Sequence, residues 1–407
     1  MGEQETSRTM QAALGRRTFL KLTGGAAAAP LMAAAFAGSG VPRAASAAPG
    51  SSAGRARVAR QDADTTLIFA AGTDADALDP RQTNTQEGYI ACANIYDCLV
   101  LYDLGKTTLR PGLAERWEVS ENGLEYTFNL RQGVKFHDGA DFNADAVVTW
   151  FNSIKEGAPG SQYDASRMPY MEPFFTGLID TVEKVDDFTV KMVLPRPYAP
   201  LLANLAIPIG GIPSPNTIAA GIDQLAVNPV GTGPFRVADA SAWTRGSQLV
   251  VTANPDYWGG APKLERVIFS VVPEGSTRLQ QVEAGDIDIA WGLTPDDVRK
   301  AQDNPDLQIV EEAGLNTNSV QFNVSKDVFK SKEVRQALNY AINKEELSAG
   351  LYDGDMVPAG GVLLPVDWAF SEDLKGYSYD PDQAKELLAA AGYNDQNKLT
   401  FTLWAYT

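Results

Sequence analysis

From residue 65 the chain falls into short apolar runs separated by turn chemistry. TTLIFAAG (65–72) is β-rich and predicts a first strand, followed by the loop TDADALDPRQTNTQ and a helix through EGYIACANIYDCLV. Residues 113–137 read as a β-meander: WEVS, turn ENG, EYTFNL, turn RQG, VKF. ENG flanked by alternating residues is a hairpin signal. Further strands are predicted at TVKMVLP, LVVTANP and RVIFSVV, and later at SVQF (319–322) and LTFTLW (399–404). Helical spacing places helices at 275–284, 295–303, 333–349 and 381–391. The alternation of helix and strand from about residue 265 points to an α/β fold. No internal repeat interrupts residues 65–407.

Length and charge narrow the class. A chain of 407 residues can hold two or three domains with cores of their own. It is 44% hydrophobic and 21% charged, which is a globular composition. Residues 1–60 carry eight Arg or Lys against two Glu, leaving 26 basic and 49 acidic side chains in the remainder. A body so acidic repels nucleic acid and anionic lipid, so neither is an expected partner.

The basic end has its own pattern. Arg16-Arg17 precede Phe19-Leu20-Lys21, then comes a mild Ala- and Gly-rich run, then Ala45-Ser46-Ala47. This is the pattern of a twin-arginine export signal over residues 1–47. The other reading is a membrane anchor at Leu22 to Val41, which Pro30 and the glycines make a poor one. Residues 48–64 form a small, polar linker. Its G-x-S-x-G, Gly50 to Gly54, lacks the strand and helix that a nucleophile elbow needs.

Candidate chemistry is sparse. GVKFHDGADFNADAV (133–147) holds the one histidine, His137, where a base or metal ligand could be suspected. Asp138-Gly139 is turn chemistry, Asn143 reads as an N-cap, and Asp145 suits the first turn of the helix that follows. His137 therefore needs no catalytic role, and no His or Cys spacing suits zinc. Cys92 and Cys98 fall six apart in one expected helix, on different faces, and read as two buried thiols. No metal or cofactor is expected.

Five blocks, in order, carry a resemblance. They are LRPGLAERWEVSENGLEYTFNLRQGVKFHDGADFNADAVV (109–148), NPVGTGPFRV (228–237), NPDYWGGAPKLERVIFSVVPEGSTRLQQVEAGDIDIA (254–290), VRQALNYAINKEEL (334–347) and YDPDQAKELLAAAGY (379–393). Together they resemble the extracellular solute-binding proteins of family 5, the peptide/nickel class of ABC-importer receptors, across residues 65–407. The resemblance implies an α/β, two-lobed periplasmic-binding-protein fold, type II-like, with an extra domain inserted in the first lobe. The expected first lobe is 65–95 with 186–288, the inserted domain 96–185, and the second lobe 289–407. In this family a peptide is bound between lobes as an added strand.

The resemblance implies these ligand-facing residues: Asn84, Thr85 and Gln86 after LDP and Asn316, Thr317 and Asn318 before SVQF, which match the family's cleft-lining segments, together with Gly231 and Thr232 in the second block. Trp291 is a candidate floor of the cleft, with a core tryptophan as its other reading. Tyr257 and Trp258 are expected to pack in the core. The chain ends at KLTFTLWAYT, earlier than family members do, so an incomplete second lobe and weakened solute binding are expected. The expected function is that of an exported, monomeric, non-enzymatic receptor capturing a di- or oligopeptide for membrane permeases. Nickel complexes, opines and oligosaccharides are other solutes of the class. A secreted hydrolase would need opposed carboxylates or a nucleophile–base pair, and no pattern points to one. A sensory receptor stays open as the third reading.

Overall fold

The computed structural model describes residues 65–103, 106–311, 317–352, 354, 356–365, 369–373 and 376–404. The expected export signal (1–47) and linker (48–64) lie outside the described residues. The chain divides into two units, Met1–Gly314 and Leu315–Thr407.

In the first unit, β1 (Thr66–Ala71) leads through a long loop into helix α1 (Gln86–Ile95). A two-stranded ribbon follows, β2 (Val100–Tyr102) with β3 (Leu109–Pro111). Next come β4 (Ala114–Val119), β5 (Glu125–Leu130), α2 (Ala144–Ile154), β6 (Thr181–Asp186), β7 (Thr189–Val193) and α3 (Pro215–Ala220). The chain then returns through β8 (Phe235–Arg236), β9 (Trp243–Thr244), β10 (Gln248–Ala253), β11 (Arg266–Val271), α4 (Gly275–Ala284), β12 (Ile289–Ala290) and α5 (Pro295–Gln302).

Two sheets result. The mixed sheet runs β12-β1-β11-β10-β8, with β9 also on β10, and β1 pairs in parallel with both β11 and β12. A strand covered on both faces should be apolar throughout, and β1 is from Leu67 to Ala71. Phe69 and Ala71 pack with Leu249, Val251 and Val267 on one face, while Ala70 packs with Ile287, Leu293 and Val298 on the other. The second sheet is antiparallel, β4-β5-β7-β6. Here β5 alternates: Tyr126, Phe128 and Leu130 are buried and join Val190, Met192, Trp150 and Phe151 in one core. Helix α2 starts where expected, with Asn143 Oδ1 accepting from Ala146 N–H at 3.1 Å.

Several expectations need correction. The boundary at 185/186 cuts the β6–β7 hairpin; β7 pairs with β5 and β6, and the same core continues to Leu225. The second lobe cannot begin at 289, because Ile289 and Ala290 pair with Phe69 and Ala70. The helix expected through 87–100 ends at Ile95, since Tyr96 is extended. Cys98 thus lies outside it, though both thiols are free and buried. VKF forms one bridge, Lys135 to Asp141, instead of a strand.

The helices of the second unit include α6 (Lys332–Tyr340), α7 (Lys344–Tyr352) and α8 (Pro381–Ala390). The single helix expected at 333–349 is two, because Asn343 caps a new start, its Oδ1 accepting from Glu346 N–H. Among the described residues, SVQF and 399–404 pair with no strand. Their alternating apolar pattern lacks the partner that a ladder requires. No helix among the described residues is long and apolar enough to cross a membrane. None of the described His, Cys, Asp and Glu residues cluster as a metal site.

Candidate ligand-binding site

The loop joining β1 to α1 leaves the carboxyl end of a strand flanked on both sides by parallel neighbours. In α/β sheets that end is where ligands bind, because the loops there are free to vary over a rigid base. Three carboxylates organise the surroundings.

Asp76 accepts hydrogen bonds from the Thr83 hydroxyl, the Thr85 hydroxyl at 2.8 Å and the Asn84 N–H at 2.9 Å. Burial would push its pKa up, but these donors outweigh burial and hold it below the usual carboxylate value. Thr85 is the N-cap of α1, its hydroxyl oxygen accepting from Gly88 N–H at 3.2 Å. Deeper, Asp79 and Arg81 form a fully buried ion pair at 2.8 Å. Arg81 also donates to Ser153 Oγ at 2.9 Å, which fastens the loop to α2. The loop is thereby tied down at both ends, and Asn84 is exposed between them.

Asp97, the third carboxylate, is buried just after α1. It accepts from Thr232 Oγ1 at 2.9 Å, Tyr257 Oη at 3.0 Å and Trp258 Nε1 at 2.8 Å. Burial raises its pKa, and the three donors only partly offset that. The turn Gly231-Thr232-Gly233 packs against the end of α1, with Gly233 N–H donating to Ile95 O at 2.9 Å. A Cβ at Gly231 would sit 2.1 Å from that same oxygen, so this glycine answers to packing against the helix. Thr232 is 1% exposed. Gly231 and Thr232 therefore leave the ligand-facing set: their surfaces are covered by the protein itself. Trp258 stacks under the Arg131 guanidinium at 4.4 Å, and with Tyr257 it packs internally.

His137 belongs to the same assembly. Its Nδ1 accepts from Gly231 N–H at 3.3 Å, so the proton sits on Nε2, which donates to Gly233 O at 2.9 Å. Burial, the largest cause, lowers its pKa to about 4. The neighbouring Asp138 accepts from the Ser214 hydroxyl at 2.7 Å. The HDG turn is thus a clamp on the glycine turn.

The remaining candidates separate. Trp291 is buried with its ring centroid 5.9 Å from that of Phe69, so the core reading replaces the cleft-floor one. Thr85 engages its hydroxyl internally, and its role is positional. Gln86 opens α1 and is half-buried. In the second unit Thr317 Oγ1 donates to Val362 O at 3.3 Å and Asn318 is exposed, while Asn316 lies outside the described residues. Sequence reasoning missed Asp76, Asp79, Arg81 and Asp97. Thr85 as an N-cap residue was readable, but the partners of Asp97, 135 to 161 positions away, were not.

Residues 108–407 match the bacterial extracellular solute-binding proteins, family 5, middle region, and the chain belongs to that family. It is a family of solute-binding proteins, not of enzymes, with the α/β, two-lobed periplasmic-binding-protein fold. The dipeptide-binding protein of Escherichia coli (strain K12) is 34% identical over 354 residues, covering 84% of this chain and 65% of its own length. The chain thus spans less than two thirds of that relative. An ABC transporter-associated periplasmic binding protein from Helicobacter pylori, solved with the peptide STSA, superposes with a TM-score of 0.71 at 32% identity, covering 80% of this chain and 66% of that one. The dipeptide-binding protein of Pseudoalteromonas sp. SM9913, solved with Met-Leu, gives 0.70 at 28% identity, covering 81% and 67%.

Proposed function

We propose that this chain captures a di- or oligopeptide and delivers it to the permeases of an ABC importer, without chemical turnover. The observation that carries this reading is exposed Asn84, on the polar loop that joins the carboxyl end of β1 to α1, in a chain 34% identical to a dipeptide-binding protein. Exposed amide side chains offer both donors and acceptors, which is what a peptide main chain needs for recognition independent of its side chains. The proposed contacts are Asn84 and Gln86 in the first unit, and Asn316, Thr317 and Asn318 in the second. Export by the twin-arginine pattern at Arg16-Arg17, release outside the cytoplasmic membrane and a monomeric state complete the proposal.

Calorimetry with Met-Leu and Ser-Thr-Ser-Ala, against an oligosaccharide and nickel–histidine, tests it. Saturable binding of a peptide alone is expected; binding of the sugar or the nickel complex with no peptide heat would overturn the peptide assignment. Replacing Arg16-Arg17 by Lys-Lys should leave the precursor in the cytoplasm, and unchanged export would overturn the route.

A further inference from the structure

The Asn84–Gln86 loop is too short to define its own shape, so something outside it must. Three independent observations converge on one carboxylate. First, Asp76 lies eight residues before Asn84 and takes three donors from consecutive positions: the Thr83 hydroxyl, the Asn84 N–H and the Thr85 hydroxyl. Its two oxygens are divided between them, with Asn84 on Oδ2 and both threonines on Oδ1.

Second, Asp76 is itself braced. Arg245 Nη1 donates to the carbonyls of Ala75 at 3.2 Å and Asp76 at 2.7 Å, and its guanidinium stacks 3.5 Å from the Trp243 ring centroid. Trp243 Nε1 donates in turn to Asp74 at 3.1 Å, and Gly246 N–H to the other Asp74 oxygen at 2.8 Å. The turn after β9 therefore grips the chain on the approach to Asp76 and holds it from the sheet side.

Third, Gly88 sits in the first turn of α1, where a glycine costs helix stability relative to alanine. A Cβ there would lie 1.9 Å from Thr83 Oγ1 and 2.7 Å from Asp76 Oδ1. The helix accepts a poor residue at the one place where the fork presses on it.

We infer that Asp76, braced by Arg245, is the positioning residue of the ligand-facing loop, fixing Asn84 in the shape that meets solute. The inference rests on the proposed reading of residues 84–86. Asp76 makes no contact with ligand in this account. It acts through Asn84, and that makes it separable from a residue serving stability alone.

The test uses the whole chain and four variants, Asp76→Asn, Asn84→Ala, their double and Arg245→Gln, titrated with Met-Leu and Ser-Thr-Ser-Ala. Asn keeps the size of Asp76 but has a single acceptor oxygen, so the fork opens. Asp76→Asn is expected to weaken peptide binding about tenfold, and about twofold or less in the Asn84→Ala background, as coupled residues do. Arg245→Gln leaves the fork chemically intact and covers the case of an Asp76 variant that fails to fold; it should weaken binding in the same direction by about threefold. Equal loss in both backgrounds would overturn the inference, since the effect would not pass through the loop. Loss with Asn84→Ala but none with Asp76→Asn or Arg245→Gln would overturn it while leaving the binding reading intact. Should neither peptide bind wild type, the peptide reading falls, and amide exchange decides the positioning role. Exchange at Thr83 to Gln86 about tenfold faster in Asp76→Asn, with the rest of α1 unchanged, supports it, and unchanged exchange overturns it.

Discussion

The two units treat large apolar side chains in opposite ways. In the first, Trp150, Phe128, Phe142, Phe151, Phe175 and Phe235 are each less than 2% exposed. In the second, the described buried apolar side chains are Phe329, Val334, Ala337 and Ala384, while Leu351, Val362 and Trp404 are 67%, 78% and 88% exposed. Small aromatic contacts hold the second unit: Phe329 against Phe322 and Phe401, and Tyr340 edge-on to Tyr377 at 5.0 Å. The difference bears on function. The loop carrying Asn84 is built on elements that hold themselves in place by burial, so the first unit's own cores give it a fixed base. Thr317 and Asn318 stand on a segment with little burial beneath it.

The contrast is sharpest in the core. Phe128→Ala should cost about 3–5 kcal/mol in urea unfolding, the range for a buried aromatic truncated without collapse of its site. A cost under about 1 kcal/mol would mean the core of β5, β7 and α2 is not what holds the first unit.

Acid should come next. His137 is neutral when folded, with a pKa near 4 against an ordinary 6.5. Between those values the unfolded chain binds the extra proton, so stability falls as pH drops from about 6.5 towards 4. At about 1.36 kcal/mol per unit, the His137 share is on the order of 3 kcal/mol. His137→Gln should flatten the slope over that window, cost about 1 kcal/mol at pH 7 and leave peptide affinity within about threefold. An unchanged slope would show that other groups set the acid response.

These cases mark what was legible in the sequence. Strands β1, β10 and β11 and helices α4, α5 and α8 carry strong local periodicity, and their positions could be read directly. Asn143 as a cap was equally local. The domain boundaries were not legible, because β7 and β12 are assigned by partners far away in sequence, Phe128 and Phe69 among them. The site divides in the same way. Asn84, expected to face ligand by family resemblance, is exposed, whereas Thr232, expected to face it too, gives its hydroxyl to Asp97, 135 positions earlier.

Thr232→Val tests that reassignment. It keeps the volume but removes one donor from a buried carboxylate, for a cost of about 1–2 kcal/mol. Binding of Met-Leu should stay within about threefold, measured on folded protein. A larger loss of affinity at unchanged stability would return Thr232 to the ligand-facing set.

The smallest effect is expected in the second unit, and it is the one that can break the comparison. Leu351 is 67% exposed near the end of α7, so replacing it removes little buried area. Gln is nearly as good a helix former as Leu, so Leu351→Gln should leave helix propensity almost untouched. Stability in urea should therefore stay within about 0.5 kcal/mol of wild type, as for other surface changes. What should move is solubility, since exposed apolar side chains drive association and a polar one at this position reduces that drive. Light scattering on concentrated samples reads this directly, with less aggregate expected for the variant. A loss of 2 kcal/mol or more would place Leu351 in a packed interface, and the contrast between a self-supporting first unit and a sparsely buried second would fail.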